Sequence, residues 1–561
     1  MSSIDWIILV LTIVFIVFYG VFKSRQTKNI SGFLLADKEM PWYVVGFSVM
    51  ATQASAITFL SLPGQAYSDG LRFIQFYFGL PLAMVVICHT FIPAFKRLNV
   101  YTAYEYLEQR FDGKTRYFTS ILFLIQRGLS TGVAIIAPAI ILSSILQIHT
   151  DYTILFIGGI VIIYTVYGGA KAVSYTQMLQ MLVIFSGLII SAVTVLRLLP
   201  EGIGFTEALR VGGMAGKTKA IDLQFDWNNK YNIWSGIIGG FFLQLSYFGT
   251  DQSQVGRYLT GKSVNESRLG LVFNGLVKIP MQFLILLTGL LVFVFYQYEA
   301  PPVFFNKAES TYVRESAFGK KFSELELTYA DVHEKKQQVL GALSLDASSL
   351  KGEAGRQLQG ELQKLDTEAK AIRKEAIQLI QANNPKADVN DNDYVFLHFV
   401  MTHFPVGLIG LLIAVIFLAS MGSTASGLNS LASTTVVDIY KKIAGSHTSE
   451  RKDLLVSRIS TFLWGVFCVV VAFYARNIGN LIEAVNILGS FFYGTVLGIF
   501  MVAFFMKKIK GNAVFYSAIF AQVCVVLAWY FEVAAFLWLN VLGCLLVMGV
   551  SVVWQQIASE D

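Results

Sequence analysis

Charge is what this chain has least of. Only 14% of its 561 residues are Asp, Glu, Lys or Arg, and 55% are hydrophobic; soluble globular domains carry about a quarter charged residues. With a mean hydropathy of +0.58, a soluble globular chain is excluded and a polytopic membrane protein is left. Cysteine is scarce too. Cys88, Cys468, Cys524 and Cys544 lie far apart in apolar segments, which excludes a disulfide framework or a CxxC metal site and leaves buried single thiols. The six histidines show no metal-ligand spacing. The net charge of +6 gathers in short loops, so it reports topology and gives no nucleic-acid footprint. A phosphate loop is missing as well: Gly212-Gly213-Met214-Ala215-Gly216-Lys217-Thr218 would need a glycine at 211, where Val211 stands. The first apolar run, Trp6 to Val21, has no basic stretch before it and no small-residue cleavage site after it, so it is read as a retained span.

What the chain does have is long apolar runs. About 20 residues cross the hydrocarbon core as a helix. On that measure 13 spans are predicted, near 4–23, 42–68, 71–95, 116–147, 151–168, 174–198, 232–258, 268–297, 405–440, 454–475, 480–506, 513–532 and 534–555. The bases fall in six loops, 22–28, 96–116, Lys171, 257–268, 441–452 and 507–510, all on one side of that scheme. The positive-inside rule makes that side cytoplasmic. The expectation is a multi-pass protein of the cell (inner) membrane, N-terminus outside and C-terminus cytoplasmic. Asn265-Glu266-Ser267 fits a glycosylation pattern but falls on the cytoplasmic side.

Residues 301–392 break the pattern, being charged and rich in Gln, Glu, Lys and Ala, with apolar positions at roughly helical spacing. An extracytoplasmic helical hairpin is expected. It is either a lid or docking element for a protein partner, or a solvated insertion in a tolerant loop. The chain thus divides into 1–300 with transmembrane helices 1–8, the soluble insertion 301–392, and 393–561 with helices 9–13.

Three spans are unlike the others. Residues 48–70 carry Thr52, Gln53, Ser55, Thr58, Ser61, Pro63 and Gly64 where a regular span would be Leu, Ile and Val. A helix broken near mid-membrane, offering its freed carbonyls to a bound ion or solute, is one reading; a packing seam of small residues is the other. Ala419 to Ser430 is a second such stretch, its Ser and Thr hydroxyls suited to a hard cation or, again, to close helix packing. Gln244 to Gln254 is the third. The spans beginning at 42 and 232 each open a set of five, and interrupted segments at matching places point to an inverted-repeat transporter. Charges inside spans are costly and mark function or structural pairing. Lys278 and Arg127 are two such charges, each about ten residues into its helix, and Glu483 begins another span at the outer interface.

The chain resembles the sodium:solute symporter family, that of the sodium/glucose, sodium/iodide and sodium/sialic acid transporters. The resemblance rests on Ala54-Ser55-Ala56-Ile57-Thr58-Phe59-Leu60, Thr102-Ala103-Tyr104-Glu105-Tyr106-Leu107-Glu108-Gln109-Arg110-Phe111, Tyr167-Gly168-Gly169-Ala170-Lys171-Ala172-Val173 and Gln252-Ser253-Gln254-Val255-Gly256-Arg257-Tyr258. It covers the chain outside 301–392. It implies an all-α, leucine-transporter-like fold of two inverted five-helix repeats, the first about 42–198, with one helix before them and two after. It places the coupling Na+ on the carbonyls of Ala51, Ala54 and Ala419 and the hydroxyl of Ser423. The first hydroxyl of the family's pair falls on Gly422, so water, solute or Thr424 would fill that place. A second Na+ site, found in some members, needs an Asp where Gln177 stands, and hydroxyls where Gly422 and Ala425 stand. One coupled Na+ is therefore expected.

For the solute the resemblance implies Gln53, Ser55, Thr58, Gln244, Tyr247 and Lys278. Ile57-Thr58 replaces the Glu-Gln pair of the sugar branch, and Gly132 stands where acidic-sugar members carry an Arg. The iodide, monocarboxylate and vitamin branch is closer. The expectation is Na+-coupled symport of a small organic anion, monocarboxylate-like or an acidic sugar, by alternating access, with sodium/sugar symport as the alternative. A channel would show a repeated carbonyl filter or charged ring. A transporter-like sensor would need a signalling domain beyond Asp561. No enzyme signature is present, and the expected partners are the solute and the bilayer.

Overall fold

The computed structural model describes residues 1–24, 30–146, 148–342, 353–385, 387, 389–444, 450–475 and 481–557. The predicted basic positions Arg25 and Lys28, the middle of the 441–452 loop, the tip of the insertion and the C-terminal Asp561 lie outside them. The predicted spans are mostly helical among the described residues. Nine helices among the described residues are long and apolar enough to cross a membrane, and Ser3–Ile16 and Thr150–Val166 are shorter apolar ones. The two remaining predicted spans are the interrupted ones.

The first is split into α2 (Trp42–Gln53) and α3 (Ala56–Asp69), after α1 (Ser3–Ser24). The chain then runs through a 3-10 stretch at Gly70–Tyr77 into α4 (80–97), the short α5 (Ala103–Arg110) and α6 (Gly113–Leu146). Next come α7 (150–168) and α8 (Gly169–Leu198), which meet at Gly169, where φ +61° and ψ 179° break a continuous helix. A Cβ there would stand 3.0 Å from the Phe33 ring, so only glycine suits both the backbone and the space. The loop predicted around Lys171 is thus a single-residue turn.

The second interrupted span is α9 (Gly240–Thr250) and α10 (Gln252–Leu259), followed by α11 (Val264–Tyr298). Within the insertion lie α12 (Lys307–Arg314), α13 (Gly319–Ala342) and α14 (Glu353–Asn383). The chain ends with α15 (Asn392–His403), α16 (Leu408–Thr434), α17 (Glu450–Ala475), α18 (Leu481–Phe505), α19 (Gly511–Tyr530) and α20 (Phe536–Ile557).

Hydrogen bonds tie the basic loops into one face. Met40 N donates to Thr260 O and Lys262 N to Met40 O, both at 3.0 Å. Lys96 Nζ donates to Leu259 O at 3.1 Å, Lys171 pairs with Glu39 at 3.5 Å, and Lys442 with Glu108 at 2.7 Å. Arg110 Nη2 donates to Met506 O at 3.1 Å and Lys507 O at 2.9 Å. On the opposite face Asp5 accepts from Gly407 N at 2.7 Å, and Leu71 N donates to Lys217 O at 2.9 Å.

α13 and α14 form the expected hairpin, with Lys321–Glu375 at 2.8 Å and Lys336–Asp366 at 2.5 Å along its length. Val313, Phe322, Val332, Ile372, Ala376 and Ile380 give it a small core of its own. It does not stand clear of the membrane helices. Val339, Leu340 and Leu362 join the main core, and Gln337 Nε2 donates to Tyr298 O at the end of α11.

Candidate functional site

The break between α2 and α3 releases two carbonyls. In a regular helix Ser55 N would meet Ala51 O, and Thr58 N would meet Ala54 O. Here Ser55 N donates to Gln53 O and Thr58 N to Ser55 O, both at 3.0 Å. Ala54 (φ −78°, ψ 80°) and Ser55 (φ −83°, ψ 173°) carry the non-helical backbone. The carbonyls of Ala51 and Ala54 thereby lose these helical donors, and they are two of the three, with Ala419, that the family resemblance implies for Na+.

α16 comes against this break. Thr52 Oγ1 and Ser426 Oγ are 3.0 Å apart, and Ser423 lies one turn from Ser426. From Leu412 to Thr434 every residue is buried except Ser423, and from Ser48 to Ala66 every residue is buried except Gln53 and Ser55. Three polar residues on otherwise sealed helices therefore reach open space. Ser423 Oγ turns back to Ser420 O at 3.2 Å. Thr424 Oγ1 is buried without a hydrogen-bond partner.

Gln177 on α8 ties α2 to α16. Its Oε1 accepts from Ser48 Oγ at 2.5 Å, and its Nε2 donates to Thr52 Oγ1 at 3.2 Å and Gly422 O at 3.0 Å. This amide occupies the position of the Asp that a second Na+ site would need.

Lys278 comes level with the break. α11 runs alongside α2 and α3: a Cβ on Gly46 would meet Phe273 at 2.7 Å, and one on Gly289 would meet Pro63 O at 2.2 Å. Lys278 is about 12 Å along α11 from Gly270 and about 20° from Gly289 around its axis, at ordinary helix geometry. It therefore lies between these two contacts with α2 and α3. Its side chain is fully buried and its Nζ has no partner. One turn to either side, the Asn274 amide is unpartnered at both atoms and Gln282 Oε1 is unpartnered. Gln282 Nε2 donates to Tyr77 Oη at 2.7 Å, and Tyr77 lies within electrostatic reach of Tyr247.

Tyr247 and Gln244 stand on α9. Gln244 is buried with both amide atoms unpartnered. Tyr247 Oη accepts from Gln254 Nε2 at 2.8 Å, and its ring faces Tyr493 at 5.8 Å. Arg127 lies over that ring at 5.5 Å but is committed elsewhere, paired with Asp251 at the α9–α10 break. Tyr493 Oη donates to the same carboxylate at 3.1 Å. Arg127 is therefore not a free cation for solute. Asp251 lies within the predicted third stretch without being singled out; a carboxylate in a span was the available signal.

The sodium:solute symporter family model matches residues 33–312 and 374–521. The chain belongs to that family. It is a multi-pass secondary transporter in which Na+ couples to the movement of a small solute. The chain is 26% identical over 499 residues to the sodium/sialic acid symporter of Aliivibrio fischeri, covering 88% of this chain and 81% of that one. It is 26% identical over 513 residues to the sodium-dependent multivitamin transporter of Oryctolagus cuniculus, covering 90% of this chain and 66% of that one. Among solved structures, a Na+-coupled sialic acid symporter in a substrate-bound outward-open state superposes with TM-score 0.76 at 21% identity, over 99% of this chain and 98% of that one. The likeness bears out the leucine-transporter-like arrangement. The 313–373 stretch unmatched by the family model lies inside the insertion.

Proposed function

We propose that the chain carries a small organic anion, monocarboxylate-like or an acidic sugar, inward with one Na+ by alternating access. The observation that supports the anion is Lys278, a buried ammonium with no partner, level with the α2–α3 break. A charge so placed is costly unless something bound compensates it, and a solute carboxylate would do so. Among its relatives, the sialic acid and monocarboxylate transporters move solutes of that chemistry.

Na+ sits on the carbonyls of Ala51, Ala54 and Ala419 and on Ser423 Oγ. Gln53, Ser55, Thr58, Gln244, Tyr247 and Lys278 line the solute path, with Asn274 added one turn from Lys278. The basic face is cytoplasmic, so the N-terminus is outside, the C-terminus inside and the 301–392 insertion outside. That surface is where a protein partner would dock. The membrane is the cell (inner) membrane, and the protein is a carrier and not an enzyme. The membrane potential contributes about 2.3 kcal/mol per charge at 100 mV.

The test is tracer uptake into proteoliposomes, with and without a Na+ gradient, of N-acetylneuraminate, lactate and galactose. Na+-dependent uptake of an acid and not of galactose is expected, and Lys278→Met should raise the KM for that acid at least tenfold while the protein still inserts. Uptake of galactose alone, or of an acid with unchanged kinetics in Lys278→Met, would reject the reading.

A further inference from the structure

The chain pairs its other buried arginines within the fold. Arg116 meets Asp438 at 2.6 Å and Glu108 at 2.5 Å, and Arg127 meets Asp251. Arg257 is different. It stands on α10, between the Asp251 break and the basic face, and is 2% exposed. Its Nε and Nη1 have no hydrogen-bond partner, and no carboxylate forms an ion pair with it among the described residues. It lies two residues from the end of its helix yet does not snorkel to the surface, as an arginine that served only as an interface anchor would. Tyr164 is its titratable neighbour, and the Tyr164 hydroxyl is already engaged with Thr176 Oγ1 at 2.7 Å.

Its place in the fold gives the unpaired charge a use. α10 packs against α2, α11 and α16, the same three helices that frame the α2–α3 break and carry Lys278 and Ser423. Arg257 is on their basic-face side. A solute leaving the break toward that face would move from the Lys278 level toward the level of Arg257. The planar guanidinium suits a carboxylate better than an ammonium does.

We propose that Arg257 is the centre of a second anion subsite, on the basic-face side of the break, which takes the carboxylate of the solute as it leaves. This rests on the anion reading above and deepens it. The subsite is closed in this conformation and opens when the basic-face half of the pathway opens. Its consequence is sidedness: the subsite sets affinity from the basic-face side and leaves affinity from the other side to Lys278.

The experiment is reconstitution of the full chain and measurement of half-saturation on both sides, by uptake and by efflux, with N-acetylneuraminate, lactate and galactose as tracers. Arg257→Gln is expected to leave the external value for the carried acid within about twofold and to raise the internal value about tenfold, with Arg257→Lys in between. Acid transport with equal changes on both sides, or with none, overturns the subsite and leaves the anion reading standing. Transport of galactose alone overturns both. Should Arg257→Gln fail to fold, phenylglyoxal labelling of Arg257 in the wild type, read by peptide mass spectrometry, decides. The carried acid is expected to slow labelling from the basic-face side, and absence of protection overturns the subsite.

Discussion

Gln177 Nε2 donates to the carbonyl oxygen of Gly422 at 3.0 Å, joining α8 to α16. The same amide holds Ser48 and Thr52 of α2, so its donors and its acceptor are in use. A side-chain amide thus does structurally what an ion would do, without a gradient to release it. Gln177→Leu removes three bonds, but Thr52 Oγ1 keeps Ser48 O and Ser426 Oγ and Ser48 Oγ keeps Ser174 Oγ, so the loss should be about 1–3 kcal/mol in all. Thermal unfolding should show the loss. The Hill coefficient for Na+ should stay at about 1 in both proteins, and an established two-ion stoichiometry in the wild type would sink the single-site reading.

The proposed Na+ shell has one side-chain ligand, Ser423, beside three carbonyls. Hard cations want six or so oxygens, so the loss of one is felt strongly. Ser423→Ala is expected to raise the Na+ half-saturation for uptake at least tenfold. Gly422→Ser would add the missing hydroxyl, but its Cβ would stand 2.5 Å from Gln180 Oε1. That oxygen has no hydrogen-bond partner, so the amide can turn away at little cost. Gly422→Ser should tighten Na+, and Gly422→Ser with Gln180→Ala should tighten it further. Uptake that ignored Na+ in all three and followed pH would reject the site.

Arg127 and Asp251 bridge α6 to the α9–α10 break, with Tyr493 of α18 on the same carboxylate. Removing one partner of a buried pair leaves an uncompensated charge and costs about 3–5 kcal/mol. Arg127→Met and Asp251→Asn should each lower stability by that order, and the double variant should be more stable than either. Thermal unfolding of the four proteins in one detergent measures the cycle. Additive losses would mean that the pair is not coupled.

The large features were legible because they follow from the bilayer. Apolar run length gave the spans, and loop bases gave the faces that Met40, Thr260 and Lys262 now tie together. The broken span at 48–70 was readable from its small polar residues, and Ala51 and Ala54 were reached through the family resemblance. Partnerships across the fold were not readable. That Arg127 pairs with Asp251, while no carboxylate pairs with Arg257 among the described residues, depends on which helices meet; the sequence shows Arg127 as a cation within a span and Arg257 as the first base of the 257–268 loop. The hairpin was visible in its helical spacing. Its attachment through Val339, Leu340 and Leu362 was not, because those residues equally suit a core closed on itself.

Acid should loosen that hairpin. His333 lies on α13, and burial, together with the charge of Lys336, pushes its pKa from 6.5 down to about 4. Between these values the unfolded hairpin takes up a proton that the folded one does not, so stability falls as pH drops from 6.5 toward 4. Limited proteolysis should cut within 319–383 faster at pH 4.5 than at pH 7, and His333→Gln should flatten that dependence. An equal pH response in both proteins would remove His333 from the cause.

The insertion is tied at its root to α3, the second half of the broken span. A Cβ on Gly64 of α3 would stand 1.9 Å from Asn392 O, and Ser68 Oγ donates to Asn392 Oδ1 at 2.5 Å. Arg373 pairs with Asp391, whose other oxygen accepts from Phe305 N at 2.6 Å, and Phe305 packs on Tyr67 of α3 at 5.6 Å. These contacts set α15 against α3 and do not need the distal hairpin. Replacing 320–368 by a short flexible linker keeps Phe305, Arg373 and Asp391, and should leave Na+-driven uptake measurable. Asp391→Ala, which removes the partner of the half-buried Arg373 and of the Phe305 amide, should reduce uptake more than the deletion does. If the shortened protein inserts normally and transports nothing, the hairpin is a working lid across the outer face, with Val339, Leu340 and Leu362 as the contacts by which it closes.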